Sequence, residues 1–238
     1  MVESDHAILY ASTGNTVHDD EVKVKAFVIT LTDLEESMQV AQRCIWSAKK
    51  YGAEVKVFDA VRAIDAQAAR ESAGIPIDGF RGKYSRLNNV VACFMSHYAL
   101  WNQCAESNKN IFILEHDAVF VNSIPTVDFK GLLSLGKPSY GNYRNPSMIG
   151  VNELTSKFYL PGAHAYMLKP YAARALIEKA KKEACPADVF LHKDRFSFLE
   201  EYYPWPVEAK DSFSTVQNET GIQAKHQYQN APDLYKLL

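Results

Sequence analysis

Ile111-Phe112-Ile113-Leu114-Glu115-His116-Asp117-Ala118-Val119-Phe120 is an apolar run that ends abruptly in two carboxylates two positions apart. Four apolar residues in succession suit a buried strand. Side chains of an extended chain alternate faces, so Glu115 and Asp117 point one way and His116 the other. Two oxygen ligands converging at a strand end suit a hard divalent cation, Mg²⁺ or Mn²⁺, that keeps open positions for phosphate oxygens. An acidic turn closing a buried strand has the same composition, so the surrounding sequence must separate the two.

Upstream, Val24 to Leu31 is β-branched and apolar enough for a buried strand. Thr32-Asp33 offers a helix cap, a helical pattern runs to about Tyr51, and Gly52 is a natural stop. Glu54 to Ala60 alternates as a second strand, so strand, helix and strand follow one another as in a right-handed parallel crossover. Residues 62 to 88 read as a helix and then a loop punctuated by Gly74, Pro76, Gly79 and Gly82. Val90 to Glu106 is helical again. Beyond the 111 strand, Asn122 to Thr155 is irregular except for a short helix near Phe129 to Leu135. Phe158 to Leu160 and Ala163 to Leu168 are strand-like, and Pro170 opens a helix reaching about Glu183. Strands alternating with helices, then a more mixed second half, predict an α/β fold with a mainly parallel sheet. Ligands in such sheets bind beyond the strands' carboxyl ends.

The 238 residues suffice for one large domain, expected over 22–238 after a loose N-terminal arm, 1–21, in which Ala7 to Ala11 could add a short strand. With 26 basic and 28 acidic residues there is no global field to attract a polyanion, which argues against nucleic acid as a partner. Cys44, Cys93, Cys104 and Cys185 form no CxxC, so reduced core thiols are expected. No stretch approaches the roughly 20 apolar residues of a membrane helix, and Met1 to Asp20 lacks the regions of a signal peptide. A cytoplasmic protein with at most peripheral membrane association follows as the expectation. Lys179, Lys181 and Lys182 make a basic helix end that suits the helix dipole or an anionic surface.

Gly131 to Lys137 nearly spells a P-loop, but Pro138 stands where Ser or Thr is required. No G-x-G-x-x-G follows the first strand, which disfavours a dinucleotide-binding dehydrogenase. The histidines lack H-E-x-x-H spacing.

Three blocks occur together in order. Ala92-Cys93-Phe94-Met95-Ser96-His97 continuing to Leu100-Trp101, then Ile113 to Ala118, resembles the glycosyltransferase family 25 pattern, in which a "GCFLSH…LW" helix precedes a strand ending in "LEDDA". Phe27 to Leu31 and Phe58-Asp59-Ala60-Val61 are similar to that family's first two strands. Gly162 to Leu168, Ala172 to Leu176 and Ala187-Asp188 resemble its later blocks. The similarity spans roughly residues 22 to 215. This chain carries His116 at the centre of the acidic triplet and Asn88-Asn89-Val90-Val91 before the Ser-His pair.

The resemblance implies a GT-A fold and a glycosyltransferase that moves a hexose, galactose or glucose, from a UDP-sugar to a glycan, lipopolysaccharide or protein side chain, usually with inversion. It implies Mn²⁺ or Mg²⁺ held by Asp117, with Glu115 ligating directly or through water. Asp188 is the candidate base, an alternative being a helix-start residue favoured by the dipole; His192, one turn later, could share that face and orient it or reach the diphosphate. The donor is expected over Thr30, Leu31, Thr32, Asp59, Ala60 and Val61, with Tyr84 and Arg86 from the loop. Ser96 and His97 either reach the donor or hold their helix against the acidic strand end. Two rival classes are a donor-binding protein without turnover, for which His116 would mark a decayed metal site, and a metal-dependent phosphoester hydrolase, which would want more clustered ligands.

Overall fold

The computed structural model describes residues 24–81, 86–210 and 215–216. The expected N-terminal arm with its Ala7 to Ala11 strand, and Tyr84, lie outside them.

β1 (Lys25–Thr30) is buried on both faces. Ala26 and Val28 join one apolar cluster, with Ala41 and Cys44 of α1 (Glu35–Lys50). Phe27 and Ile29 join the other, with α3 (Leu87–Ser107). α1 is amphipathic: Val40, Ala41, Cys44 and Ala48 are buried at helical spacing, with Glu35 and Glu36 in the first turn and Lys49 and Lys50 in the last, each sign matching the helix dipole. Gly52 ends it at φ 79°, a conformation glycine adopts without strain. β2 (Val55–Asp59) is a half-exposed edge strand.

β3 (Ile111–Glu115) keeps the same two-sided alternation. Ile111 and Ile113 pack toward α3, while Phe112 and Leu114 pack into the α1 cluster. The remaining elements are α2 (Ala66–Ser72), a 3-10 turn (Asp78–Phe80), β4 (Ala118–Phe120), β5 (Leu132–Ser134), β6 (Gly150–Glu153), β7 (Ala165–Leu168), α4 (Pro170–Ala180), α5 (Ala187–Phe190), β8 (Leu199–Tyr203) and β9 (Val207–Ala209). The main sheet has seven strands in the order β2-β1-β3-β7-β5-β8-β6. Five of them, β2, β1, β3, β5 and β8, run one way, and β7 and β6 run against them. This is the α/β, mainly parallel architecture anticipated for a GT-A type protein. β4 and β9 form a small second sheet.

Several local expectations are corrected. Thr32-Asp33 does not cap α1; Leu34 holds that position, because the chain first turns through a Leu34 N to Leu31 O bond and the two polar side chains reach β2 and its loop instead. Leu132 to Ser134 is a strand, not part of a helix: all three residues are buried between β7 and β8, and that pairing overrides local propensity. Phe158 to Leu160 forms no strand, only a single bridge between Tyr159 and His192. α4 stops at Ala180.

Candidate active site

Because β1, β2 and β3 are parallel and in register, Thr30 sits beside Asp59 and Ile29 beside Glu115. The carboxyl ends of the three strands therefore share one sheet edge, where open α/β sheets bind ligands. At the β1–β2 end, Thr32 Oγ1 donates to Asp59 Oδ1 at 2.7 Å, and Arg62 bridges Asp33 at 2.7 Å and Asp59 at 3.6 Å. Ala60 N donates to Thr30 O at 2.9 Å. Thr30 and Ala60 are buried, whereas Thr32 and Asp59 are exposed and Leu31 and Val61 partly so. Arg86 holds the N-cap of α3, exposed, with its backbone N bonded to Val216 O.

Ser96 and His97 are both fully buried, and their bonds hold α3 against the strand ends. Ser96 Oγ donates to Ala92 O at 2.8 Å and accepts from Val61 N at 2.9 Å, tying the end of β2 to α3. His97 Nε2 lies 3.0 Å from Glu115 Oε1, its Nδ1 2.8 Å from the Tyr166 hydroxyl, and Trp101 Nε1 donates to that hydroxyl at 2.9 Å. An indole only donates and an ionised carboxylate only accepts. With His97 neutral, the bonds run in one direction: Trp101 to Tyr166, Tyr166 to His97, His97 to Glu115.

The strand alternation continues past β3, with Glu115 toward α3 and His116 toward α1. His116 Nδ1 lies 3.0 Å from Ser37 Oγ, which accepts Leu31 N at 3.0 Å. Burial holds the His116 imidazole below its ordinary pKa, so it is neutral at physiological pH. Burial works to raise Glu115, but the His97 hydrogen bond, with the imidazoles of His97, His116 and His164 around it, outweighs that and leaves its carboxyl below the ordinary value. Asp117 is different: burial, and then the Glu115 charge, push its pKa up to about 8. Its Oδ1 is buried without a hydrogen-bond partner among the described residues. A buried carboxyl oxygen without a partner costs stability, and a water or a cation beside it would satisfy it.

Asp188 lies in the first turn of α5. Burial raises its pKa, the Tyr140 hydroxyl bonded to Oδ2 opposes the rise, and the Glu115 charge adds to it. Burial and the adjacent Asp188 charge hold the Tyr140 phenol far above its ordinary value, so it remains a donor. Burial pushes the Cys93 thiol well above its ordinary value, and the charges of Glu115, Asp188 and Asp117 add to the rise. Cys93 Sγ, His97 Nε2 and Glu115 Oε1 lie within 4.8 Å of one another, both donors directed at the same carboxylate oxygen.

His192 does not share a helical face with Asp188, because α5 ends at Phe190. Its ring stacks on Tyr159 at 6.4 Å and 14°, and its Nδ1 accepts from Asp194 N at 3.1 Å. Tyr140, not His192, orients Asp188. Sequence reasoning also missed Ser37 and Tyr166. Tyr166 left a signal, a tyrosine in an otherwise apolar buried strand, whose hydroxyl needs a partner; Tyr140, in an irregular segment, left none.

This is an α/β protein with carboxylates at the ends of its parallel strands, Asp59 on β2 and Glu115 on β3, and comparison with known proteins supplies its class. The sequence model of glycosyltransferase family 25 (LPS biosynthesis protein) matches residues 24–191, and the chain belongs to that family of glycosyltransferases. A search of the curated proteins gave no match. Among solved structures, Drosophila β-1,4-galactosyltransferase 7 in complex with manganese, UDP-galactose and xylobiose aligns at 12% identity with a TM-score of 0.43, over 91% of this chain and 77% of that one. Among the described residues no helix is long and apolar enough to cross a membrane.

Proposed function

We propose that this glycosyltransferase moves a hexosyl unit, galactose or glucose, from a UDP-sugar to a hydroxyl of a glycan, lipopolysaccharide or protein acceptor, with inversion and with Mn²⁺ or Mg²⁺. The observation that carries the reading is the orphaned, buried Asp117 Oδ1 beside an ionised Glu115, at the shared end of three parallel strands. The donor set is all oxygen, as a hard cation requires. Asp117 would hold it directly, and Glu115, whose Oε1 already receives His97, through water. A bound cation there supplies neutralisation of the charge developing on the departing diphosphate.

The chain's own residues do the rest. Thr32, Asp59 and Val61 line the exposed ends of β1 and β2, where the nucleoside fits. Asp188 accepts the proton of the acceptor hydroxyl while the acceptor oxygen bonds to the anomeric carbon from the face opposite the breaking carbon–phosphate-oxygen bond. Its raised pKa makes it a stronger base than an ordinary carboxylate, and Tyr140 fixes its orientation. His97 holds Glu115 in place, and Ser37 holds His116 clear of the cleft.

The test is to incubate the protein with UDP-galactose or UDP-glucose, a panel of sugar acceptors and Mn²⁺, and read the product's anomeric configuration by NMR. A β-linked product from the α-linked donor, lost on chelation, is expected. A retained configuration, or turnover indifferent to chelation, would contradict the mechanism.

A further inference from the structure

Beside Asp188 the structure has an aromatic wall that the reaction chemistry does not require. The Tyr140 ring, whose hydroxyl holds Asp188, lies 6.2 Å from Tyr159; Tyr159 stacks on His192 at 6.4 Å; and Phe158 stands 6.3 Å further on. Two backbone contacts pin it: the Tyr159–His192 bridge, with Lys193 N bonded to Phe158 O at 2.7 Å, and Leu160 N to Asp188 O at 3.3 Å. The wall is therefore preorganised. Its far end is open, with Phe158 58% exposed.

Two ammonium groups decorate it. Lys157 Nζ lies 5.1 Å from the Tyr159 ring centre and 5.6 Å from that of Tyr140, within 3.3 Å of the Tyr159 hydroxyl, and Lys193 Nζ lies 4.2 Å from the Phe158 ring centre. Among the described residues, neither Lys157 nor Lys193 has a carboxylate within 4 Å of its ammonium group.

We propose that this wall is the acceptor subsite and that it selects an anionic saccharide, a sugar ring bearing a carboxylate or phosphate. The proposal rests on the reading of Asp188 as the base: an acceptor hydroxyl must come within hydrogen-bond reach of it, and the surface continuous with Asp188 is this row of rings. Pyranose rings present an apolar face of C–H groups that packs on aromatic side chains, and their hydroxyls stay toward water. The two cations, held over the rings and free of carboxylate partners, supply the charge complementarity that a neutral acceptor would not use.

The experiment compares p-nitrophenyl β-glucoside with p-nitrophenyl β-glucuronide, the same ring without and with a carboxylate, by saturation-transfer NMR titration in the presence of UDP and Mn²⁺. Calorimetric binding of UDP is measured on the same samples. The glucuronide should bind tighter than the glucoside by about two- to five-fold per engaged lysine, the range of an exposed ion pair. Lys193→Glu should abolish the preference, Lys157→Met should reduce it, and Phe158→Ala should weaken both sugars alike. Equal affinity for the two sugars, or no binding of either while UDP binds normally, would overturn the proposal. If UDP fails to bind but the lysine-dependent glucuronide preference persists, the donor reading falls and the wall stands as a saccharide site.

Discussion

His97 Nε2 stands 3.0 Å from Glu115 Oε1, so a fully buried imidazole on α3 fixes the carboxylate that ends β3. Behind it, Tyr166 and Trp101 make the bonds directional, which ties the acidic strand end to the deepest part of the core. Removing the Tyr166 hydroxyl leaves a buried indole N–H and one imidazole nitrogen without partners. Tyr166→Phe is therefore expected to cost about 1–3 kcal/mol, the penalty of an unsatisfied buried polar group, and to weaken Mn²⁺ binding, whereas Tyr98→Phe, whose hydroxyl is outside this chain of bonds, should leave Mn²⁺ binding unchanged. Urea unfolding and calorimetric Mn²⁺ titration of both variants check this.

Asp117 has a folded pKa of about 8 against an ordinary 3.8. A carboxyl raised on folding binds a proton that the unfolded chain releases, so its stabilising contribution is complete below the unfolded value and is lost as pH rises from about 4 toward 8. In metal-free protein, Asp117→Asn should therefore be more thermostable than the wild type near pH 8, with the gap closing toward pH 4. Melting temperatures across that range measure it; an asparagine variant less stable at pH 8 would show that Asp117 is neither desolvated nor repelled by Glu115.

Asp188 and Tyr140 make a paired prediction. Asp188→Asn should lower the transfer rate by about 10²–10⁴-fold, the usual worth of a general base, with donor affinity retained. In the wild type, kcat/KM should rise with pH as Asp188 loses its proton, at a midpoint above the ordinary carboxylate value because of burial. The Tyr140 hydroxyl lowers that pKa, so Tyr140→Phe should move the rising limb to higher pH. An unmoved limb would remove Asp188 from the base role.

Glu201 supports the segment leading to the aromatic wall. It is 1% exposed, and its Oε1 accepts Thr155 N and Ser156 N, each at 2.7 Å. Glu201→Ala strips two bonds and leaves the buried Ser156 amide and the part-buried Thr155 amide unpaired, a loss of about 3 kcal/mol. Denaturant unfolding reads that loss, and amide exchange at 154–160 should accelerate.

The legible parts of this sequence were those whose periodicity reports burial directly. β1 and β3 are apolar on both faces because helices cover both, and α1 and α4 show their buried stripes and their glycine or proline boundaries. β5 was hidden because three residues carry no period, and only its neighbours β7 and β8 make it a strand. Glu115, Asp117 and Asp188 could be named from local motifs. Their partners could not: Ser37 is 79 residues from His116, and Tyr140 is 48 from Asp188. His192 shares no helical face with Asp188 because α5 ends two residues before it, at Phe190, and nothing in the local sequence marks that stop.

The central claim is that Asp117 completes a cation-dependent nucleotide site. Thermal unfolding with UDP, with and without Mn²⁺, in the wild type and in Asp117→Ala, tests it most directly. A ligand at about 100 times its dissociation constant adds roughly 2.7 kcal/mol, enough for a melting shift of several degrees. The expected result is a UDP-induced rise that requires Mn²⁺ in the wild type and is absent from Asp117→Ala. A Mn²⁺-dependent rise of the same size in both proteins would contradict it.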